Sequence, residues 1–204
     1  MQDYGPDITL IDPAFVHSSV QIFGKVTVRT GASIWPNAVV RAEAYEVEIG
    51  PHSNVQDFCM VHVGAQSGTH IGAHCSITHH CTIHGARIGD NCLVGINATL
   101  MDGVVIGENC TIAGGTFIPE NTVIPANSVV KGVPGKVMRT ENRWVINRIN
   151  AWYYSRNALA YAQGNHREWS SDDFKNALAE EHERLQRVFA EGRSEALDVV
   201  ESDA

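Results

Sequence analysis

Isoleucine and valine recur at every sixth position along most of this chain. The pattern begins at Val16 and continues, with two short interruptions and one five-residue step, to Val130, and eighteen of its nineteen positions are Ile or Val. The nineteen positions are Val16, Ile22, Val28, Ile34, Val40, Ile49, Val55, Val61, Ile71, Ile77, Ile83, Ile88, Val94, Leu100, Ile106, Ile112, Ile118, Ile124 and Val130. An α-helix repeats about every 3.6 residues and a simple strand about every two, so neither explains a period of six. A short fixed repeat is typical of a solenoid, and this period predicts a parallel β-helix of hexapeptide repeats.

A second column of the repeat, four residues after each of these positions, carries small side chains. All five cysteines lie in this column: Cys59, Cys75, Cys81, Cys92 and Cys110. We interpret them as small buried residues at the corners of the coil. Disulfides or thiolate metal ligands are disfavoured because no Cys-x-x-Cys pair is present and five is an odd number. Since we find no signal peptide and no apolar run of membrane-spanning length, we expect a soluble protein in a reducing, cytoplasmic compartment.

The repeat divides the chain into four predicted segments. Residues 1–14 are a polar lead-in, and residues 15–139 form the β-helix domain. Residues 140–191 form a helical region, and residues 192–204 are an acidic tail. The helical region contains two predicted helices, the second of which opens with a capping sequence at Ser171. We expect these helices to pack on the β-helix or on a neighbouring subunit, and the acidic tail to be disordered.

The charge of the chain argues against a nucleic-acid partner, and its histidines point to a bound metal. The chain has 15 Lys and Arg against 23 Asp and Glu, a formal net charge of −8, and its basic residues do not cluster. We therefore expect no nucleic-acid binding. Histidine is abundant, and seven of the ten histidines lie within residues 52–84.

The repeat predicts which of these histidines lie together. If three hexapeptides form one coil, residues three repeats apart stack on one face, about 4.8 Å apart. Arg41, His62 and His84 each follow such a stacked position and should form one outward-facing column. Asp57 and His79 stack in the same way on the preceding face, near an edge, and should point away from the first column. A single chain would therefore separate His79 from His62 and His84, whereas a symmetric trimer could bring one subunit's edge to its neighbour's face.

Three imidazoles with an open fourth position form the donor set of a catalytic zinc site. We therefore predict His62, His79 and His84 as metal ligands at the interfaces of a homotrimer. Zinc is the expected metal, and Fe²⁺ or Co²⁺ remain possible because they accept similar ligands.

Several stretches of the chain resemble the γ-class carbonic anhydrase family. They are Trp35-Pro36-Asn37-Ala38-Val39-Val40-Arg41, Asn54-Val55-Gln56-Asp57, His62, His79 with His84-Gly85, and Ile88-Gly89-Asp90-Asn91-Cys92-Leu93-Val94-Gly95. The similarity covers about residues 15–139, and the stretch 97–103 is closest to the branch of phenylacetate-degradation and carnitine-operon proteins.

The resemblance implies an all-β fold with C-terminal α-helices: a single-stranded left-handed parallel β-helix that assembles as a homotrimer. It implies that His62 and His84 come from one subunit and His79 from the next, that Arg41 pairs with Asp57 across the interface, and that Gln56 bonds the metal-bound water. The implied reaction is that of a carbonate dehydratase, a lyase in which metal-bound hydroxide attacks carbon dioxide in a reversible hydration to bicarbonate.

The chain departs from the family pattern at two neighbouring positions. Glu43 stands where the family commonly has aspartate, which changes the carboxylate available to Arg41, and Ala44 occupies the position of the glutamate that shuttles protons in long-form members. The loop from Val63 to His70 contains no acidic residue, so His70 or His80 would have to carry protons instead.

Three other functions remain open on the sequence alone. The same site could act as a metal-dependent hydrolase of a thioester or lactone. Hexapeptide folds also support CoA-dependent acyl transfer. The fourth interpretation is a non-catalytic trimeric scaffold with a structural metal.

Overall fold

The computed structural model of the protein describes residues 5–193, and the predicted disorder of the tail falls almost entirely outside this range. The strands are β1 Ile8–Leu10, β2 Phe15–Val16, β3 Gln21–Val28, β4 Ser33–Ile34, β5 Val39–Ile49, β6 Asn54–Val55, β7 Met60–His62, β8 Thr69–Ile71, β9 Ser76–Ile77, β10 Thr82–His84, β11 Arg87–Ile88, β12 Leu93–Val94, β13 Thr99–Leu100, β14 Val105–Ile106, β15 Thr111–Ile112, β16 Phe117–Ile118, β17 Val123–Ile124, β18 Ser128–Gly132 and β19 Gly135–Thr140. The helices are α1 Trp144–Ala162 and α2 Asp172–Ala190, with a 3₁₀ turn at Glu168–Ser170 between them.

The strands stack into a three-faced parallel coil. One face is the run β2, β4, β6, β9, β12, β15 and β18, to which β19 adds in antiparallel orientation. The other two faces join into one larger sheet because β3 and β5 each continue around a corner. The predicted left-handed β-helix of hexapeptide repeats is confirmed. The lead-in segment also contributes to it, since β1 pairs in parallel with β3.

The six-residue positions form the interior of the coil. All except Val16 are buried, and the partly buried Val16 packs against the same core. Burial of this apolar column removes it from water and is the main favourable contribution to folding. The five cysteines are buried free thiols in the same interior, as predicted.

The corners of the coil require an unusual backbone conformation. Eleven non-glycine residues among those described have positive φ, and six of them are asparagines such as Asn91 and Asn109. Asparagine tolerates the left-handed region because its short side chain can hydrogen-bond locally. The stacked coils also pair these side chains, and the Asn91 Nδ2 group donates to Asn109 Oδ1 at 3.0 Å.

Helix α1 packs along the face that contains β2, β4, β6 and β9, and α2 packs on α1. Asn147 of α1 donates to the Asn91 and Cys110 carbonyls at 3.0 Å each, which anchors the start of the helix. Trp144 packs with Leu185 and Val188 of α2. The predicted cap at Ser171 is present, since its Oγ accepts the Phe174 N–H at 3.1 Å.

Candidate metal centre

The predicted column of Arg41, His62 and His84 is present on one face of the coil. Arg41 lies opposite His62 in the register of β5 and β7, and His62 lies opposite His84 in the register of β7 and β10. The His62 Nδ1 and His84 Nε2 atoms are 3.1 Å apart. We call Arg41, Glu43, His62, His84 and Asp102 the paired-histidine face.

Each histidine of this face also contacts a carboxylate. Glu43 Oε2 lies 2.9 Å from His62 Nε2, and the other oxygen of Glu43 accepts from Arg41. Asp102 accepts from Nδ1 of His84. Partial desolvation opposes ionisation of Asp102, but the hydrogen bonds from His84 and the Ala65 N–H outweigh it and lower the pKa of the Asp102 carboxyl.

His79 lies on a different face of the coil, as predicted. Its Nδ1 atom is 3.0 Å from Asp57 Oδ2, and its Nε2 atom is 3.3 Å from the hydroxyl of Tyr154 on α1. Burial raises the pKa of Tyr154, so its hydroxyl keeps its proton at neutral pH. We call Asp57, His79 and Tyr154 the His79 face.

Gln56 lies on the same face as His79 and is buried rather than exposed to solvent. Its Nε2 group donates to Asn54 Oδ1 at 2.9 Å, and Asn54 donates to Ser76 Oγ at 3.0 Å. This chain of side-chain hydrogen bonds holds the Gln56 amide in a fixed orientation.

One chain does not assemble the predicted site alone. Across residues 5–193, no three His, Cys, Asp or Glu side chains converge as a metal-holding group. Within the chain Arg41 pairs with Glu43 and Asp57 pairs with His79, so an Arg41–Asp57 pair across an interface stays a prediction.

The residues present nevertheless fit a zinc ion. Two nitrogens on one tetrahedral zinc, each at about 2.05 Å, lie about 3.3 Å apart, close to the 3.1 Å that separates His62 Nδ1 from His84 Nε2. Zinc-binding histidines usually donate their other ring N–H to a carboxylate. His84 and His79 both have a carboxylate at Nδ1, which directs Nε2 toward a metal. Nε2 of His79 would exchange its contact with the Tyr154 hydroxyl for the metal.

Three residues at these faces were not predicted as site residues. Asp102 lies one coil beyond His84 and one position further along the repeat, so the register of the repeat could have located it. Glu43 belongs to the first interruption of the repeat and was treated only as a departure from a family pattern. Tyr154 had no such signal, because its contact with His79 depends on how α1 packs on the coil.

Comparisons with known proteins agree with this architecture. Residues 85–120 match the family described as bacterial transferase hexapeptide (six repeats). The chain is 51% identical to a probable carbonic anhydrase of Methanocaldococcus jannaschii over 70% of this chain and 86% of that protein. It is 38% identical to the mitochondrial gamma carbonic anhydrase 3 of Arabidopsis thaliana over 84% of this chain and 69% of that protein.

Two further similarities are more distant. The carnitine operon protein CaiE of Escherichia coli is 36% identical over 47% of this chain and 50% of its own length. The crystal structure of a hexapeptide transferase family protein from Anaplasma phagocytophilum superposes with a TM-score of 0.67 at 26% identity, over 77% of this chain and 92% of that chain.

These relatives and the fold show that the chain is a hexapeptide-repeat protein with a left-handed β-helix. The chain belongs to the γ-class carbonic anhydrase family. Within residues 5–193, neither α1 nor α2 is long and apolar enough to span a membrane.

Proposed function

We propose that this protein is a zinc-dependent γ-carbonic-anhydrase-like enzyme that catalyses the reversible hydration of carbon dioxide to bicarbonate. The observation that carries the proposal is the division of three carboxylate-supported histidines between two faces. In a homotrimer, His62 and His84 of one subunit would meet His79 of the next and complete one site per interface.

A zinc ion held by three imidazoles acidifies water, which supplies a hydroxide nucleophile near neutral pH. The chain's own residues would orient the reactants. The protonated Tyr154 hydroxyl and the fixed Gln56 amide would present hydrogen-bond donors beside His79. Arg41 and Asp57, paired across the interface, would hold the two faces in register.

Proton transfer to solvent would use exposed groups at the site. His80 is exposed and follows His79 directly, so it is the better placed of the two predicted histidines. His70 lies on the third face, 3.6 Å from Glu46 and 3.9 Å from Glu48, away from both halves of the site. Of the two, we therefore propose His80 as the proton carrier.

Metal content and carbon dioxide hydration, measured together, test this proposal. The purified full-length protein should contain about one zinc per subunit and accelerate hydration in a stopped-flow pH-indicator assay. His79→Ala should lose both metal and activity. His80→Asn keeps a residue that tolerates the positive φ of 61° at this corner, so it should retain the metal and lose only activity limited by proton transfer. Full metal occupancy in His79→Ala would contradict the proposal.

A specific observation favours a second candidate, hydrolysis of a thioester or lactone at the same site. A cavity of about 810 Å³ with mostly apolar walls lies beside Tyr154, between α1, α2 and Leu93. Carbon dioxide does not need such a space, whereas an acyl chain or a ring does. A panel of thioesters and lactones should show metal-dependent turnover that increases with acyl length, and turnover that persists after metal removal would count against this candidate.

The cytoplasmic location remains part of the proposal and agrees with the five free cysteines. Acyl transfer from CoA and a non-catalytic trimeric scaffold are the other outcomes of these assays. Metal-free protein with acyltransferase activity would support the first, and a fully metallated but inactive trimer the second.

A further inference from the structure

Asp102 uses its two carboxylate oxygens for two different contacts. One oxygen accepts a hydrogen bond from Nδ1 of His84, and the other accepts the backbone N–H of Ala65 at 3.1 Å. Asp102 therefore connects a candidate ligand on β10 with the loop that follows β7.

Close packing against the loop restricts this carboxylate on the side of Gly64. A Cβ atom on Gly64 would come within 2.8 Å of Asp102 Oδ2, so the loop lies directly against the carboxylate. The loop is closed by the Gly64 N–H, which donates to the Ser67 carbonyl at 2.8 Å, and by Ser67 Oγ, which donates to the Gly85 carbonyl at 3.0 Å. The Asp102 side chain consequently has little freedom to turn away from His84.

A carboxylate at Nδ1 determines where His84 carries its proton. An ionised carboxylate only accepts, so the Nδ1 atom of His84 must be the protonated nitrogen. The lone pair of the neutral ring is then on Nε2, the atom that faces His62 Nδ1 at 3.1 Å. The opposite tautomer would place the lone pair of Nδ1 against the carboxylate and a proton on the nitrogen that faces the site.

We propose that Asp102 is a positioning residue, which holds His84 as the Nδ1–H tautomer with Nε2 presented as the metal-binding nitrogen. The tautomer is a property of the protein before any metal arrives. The consequence for metal affinity rests on the proposed zinc site, because only a bound metal can report it. Outer carboxylates of this kind fix the ring orientation of ligand histidines and raise their basicity.

A second aspartate separates this role from ordinary loop capping. Asp90 also lies two residues after a buried position of the repeat, and its Oδ1 accepts the Ala73 N–H at 2.8 Å against a glycine, Gly72. Within residues 5–193, the contact shown for the Asp90 carboxylate is this hydrogen bond to the loop N–H. Asp90→Asn therefore alters only a loop contact, whereas Asp102→Asn alters a loop contact and the His84 contact.

The first measurement needs no substitution. The ¹⁵N shifts of the histidine rings in the metal-free, full-length protein, with His84 assigned by its loss in His84→Gln, should show the proton on Nδ1. The Asp102→Asn protein should show a mixture of tautomers, while Asp90→Asn should match the wild type. A wild-type His84 with its proton on Nε2 would overturn the proposal, even if the enzyme were active.

The second measurement is zinc affinity by competition with a chromophoric chelator. Asp102→Asn should bind zinc about 10- to 100-fold more weakly than the wild type, and Asp90→Asn should bind it equally well. Equal weakening in both variants would show that Asp102 acts only through its loop. If the wild type binds no zinc, the proposed function fails, and the tautomer measurement still decides the role of Asp102.

Discussion

Each candidate ligand histidine of this protein contacts a carboxylate from a different part of the chain. His84 contacts Asp102, His79 contacts Asp57, and His62 contacts Glu43. Isolated solvated histidines would have no such partners. Outer carboxylates orient metal-binding imidazoles, so the presence of a carboxylate at each of the three histidines supports a metal site.

Tyr154 offers a test of the His79 face that does not disturb packing. Its ring lies 5.5 Å from Trp35 in an edge-to-face arrangement, which Tyr154→Phe would keep. The substitution removes only the hydroxyl that lies 3.3 Å from His79 Nε2. We expect carbon dioxide hydration to fall about tenfold while the free energy of unfolding changes by about 1 kcal/mol or less.

Tyr161→Phe is the matched control for this prediction. The Tyr161 ring also packs on Trp35, at 4.9 Å, but the hydrogen bond to His79 comes from Tyr154 alone among the described residues. Stopped-flow rates and urea denaturation should show unchanged activity and stability for the control. Equal losses of activity in both variants would assign the effect to packing.

The buried His74 should make the free energy of unfolding depend on pH. Burial, with smaller contributions from the charges of Arg148 and His52, lowers the pKa of His74 to about 2. The unfolded chain has a histidine pKa near 6.5, so below that pH the unfolded state binds a proton that the folded state excludes. The contribution of His74 to the free energy of unfolding is therefore present above pH 6.5 and is lost as the pH falls. From this residue alone, the free energy of unfolding should decrease by about 2 kcal/mol between pH 7 and pH 5.

His74→Asn should remove that part of the pH dependence. Asparagine tolerates the positive φ of 54° at this position. His80→Asn is the control, because His80 also stacks at a corner but is exposed. Urea denaturation of both variants at pH 7 and pH 5 measures the effect, and an unchanged pH dependence in His74→Asn would contradict the prediction.

At the scale of elements, the interruptions of the repeat support the candidate site. The first interruption places Glu43 within β5, beside His62. The second is the loop after β7, whose Ala65 N–H bonds Asp102. A regular solenoid would supply only the stacked column, so the inserted residues provide contacts that the repeat cannot.

The buried polar side chain of Asn147 contributes to the attachment of helix α1 to the coil. Asn147 donates to two carbonyls of the coil and accepts from Thr111 Oγ1 at 3.0 Å. Asn147→Leu should lower the free energy of unfolding by about 3 kcal/mol, because it removes three hydrogen bonds at once, two of them buried. Leu159→Asn, at an exposed position of the same helix, should change it by about 0.5 kcal/mol or less.

Thermal unfolding monitored by circular dichroism compares these two variants directly. A loss confined to the helical signal would show that α1 detaches while the coil remains folded. If Asn147→Leu were as stable as the wild type, the attachment of α1 would rest on its aromatic contacts instead.

At the scale of the whole molecule, subunit mixing tests the shared site. His79→Ala and His84→Ala should each be inactive alone. In mixed trimers, a His79→Ala subunit still supplies His62 and His84, and a His84→Ala neighbour still supplies His79. Random mixing of equal amounts should restore about one quarter of the interfaces. Measured zinc content and activity should recover to that fraction.

The control for this experiment mixes His62→Ala with His84→Ala. Both substitutions affect the same half of the site, so no interface is complete in any combination. Recovery in this control, or no recovery in the first mixture, would contradict a site divided between subunits.

The amino-acid sequence by itself determined the coil and the division of the histidines. A strict period of six assigns every residue to the interior, a corner or an outward column, so the stacking of Arg41, His62 and His84 followed from counting. The separation of His79 followed from the same count. Local repetition is enough because each coil contacts mainly its two neighbours.

Only the tertiary structure decided the contacts made by the non-repeating parts. The position of Tyr154 against His79 depends on how α1 packs along one face, and helical spacing does not encode that placement. The pairing of Glu43 with His62 and the second contact of Asp102 depend on how two insertions bend out of the coil. Side chains beyond the repeat are positioned by long-range packing, which no short-range pattern in the sequence reports.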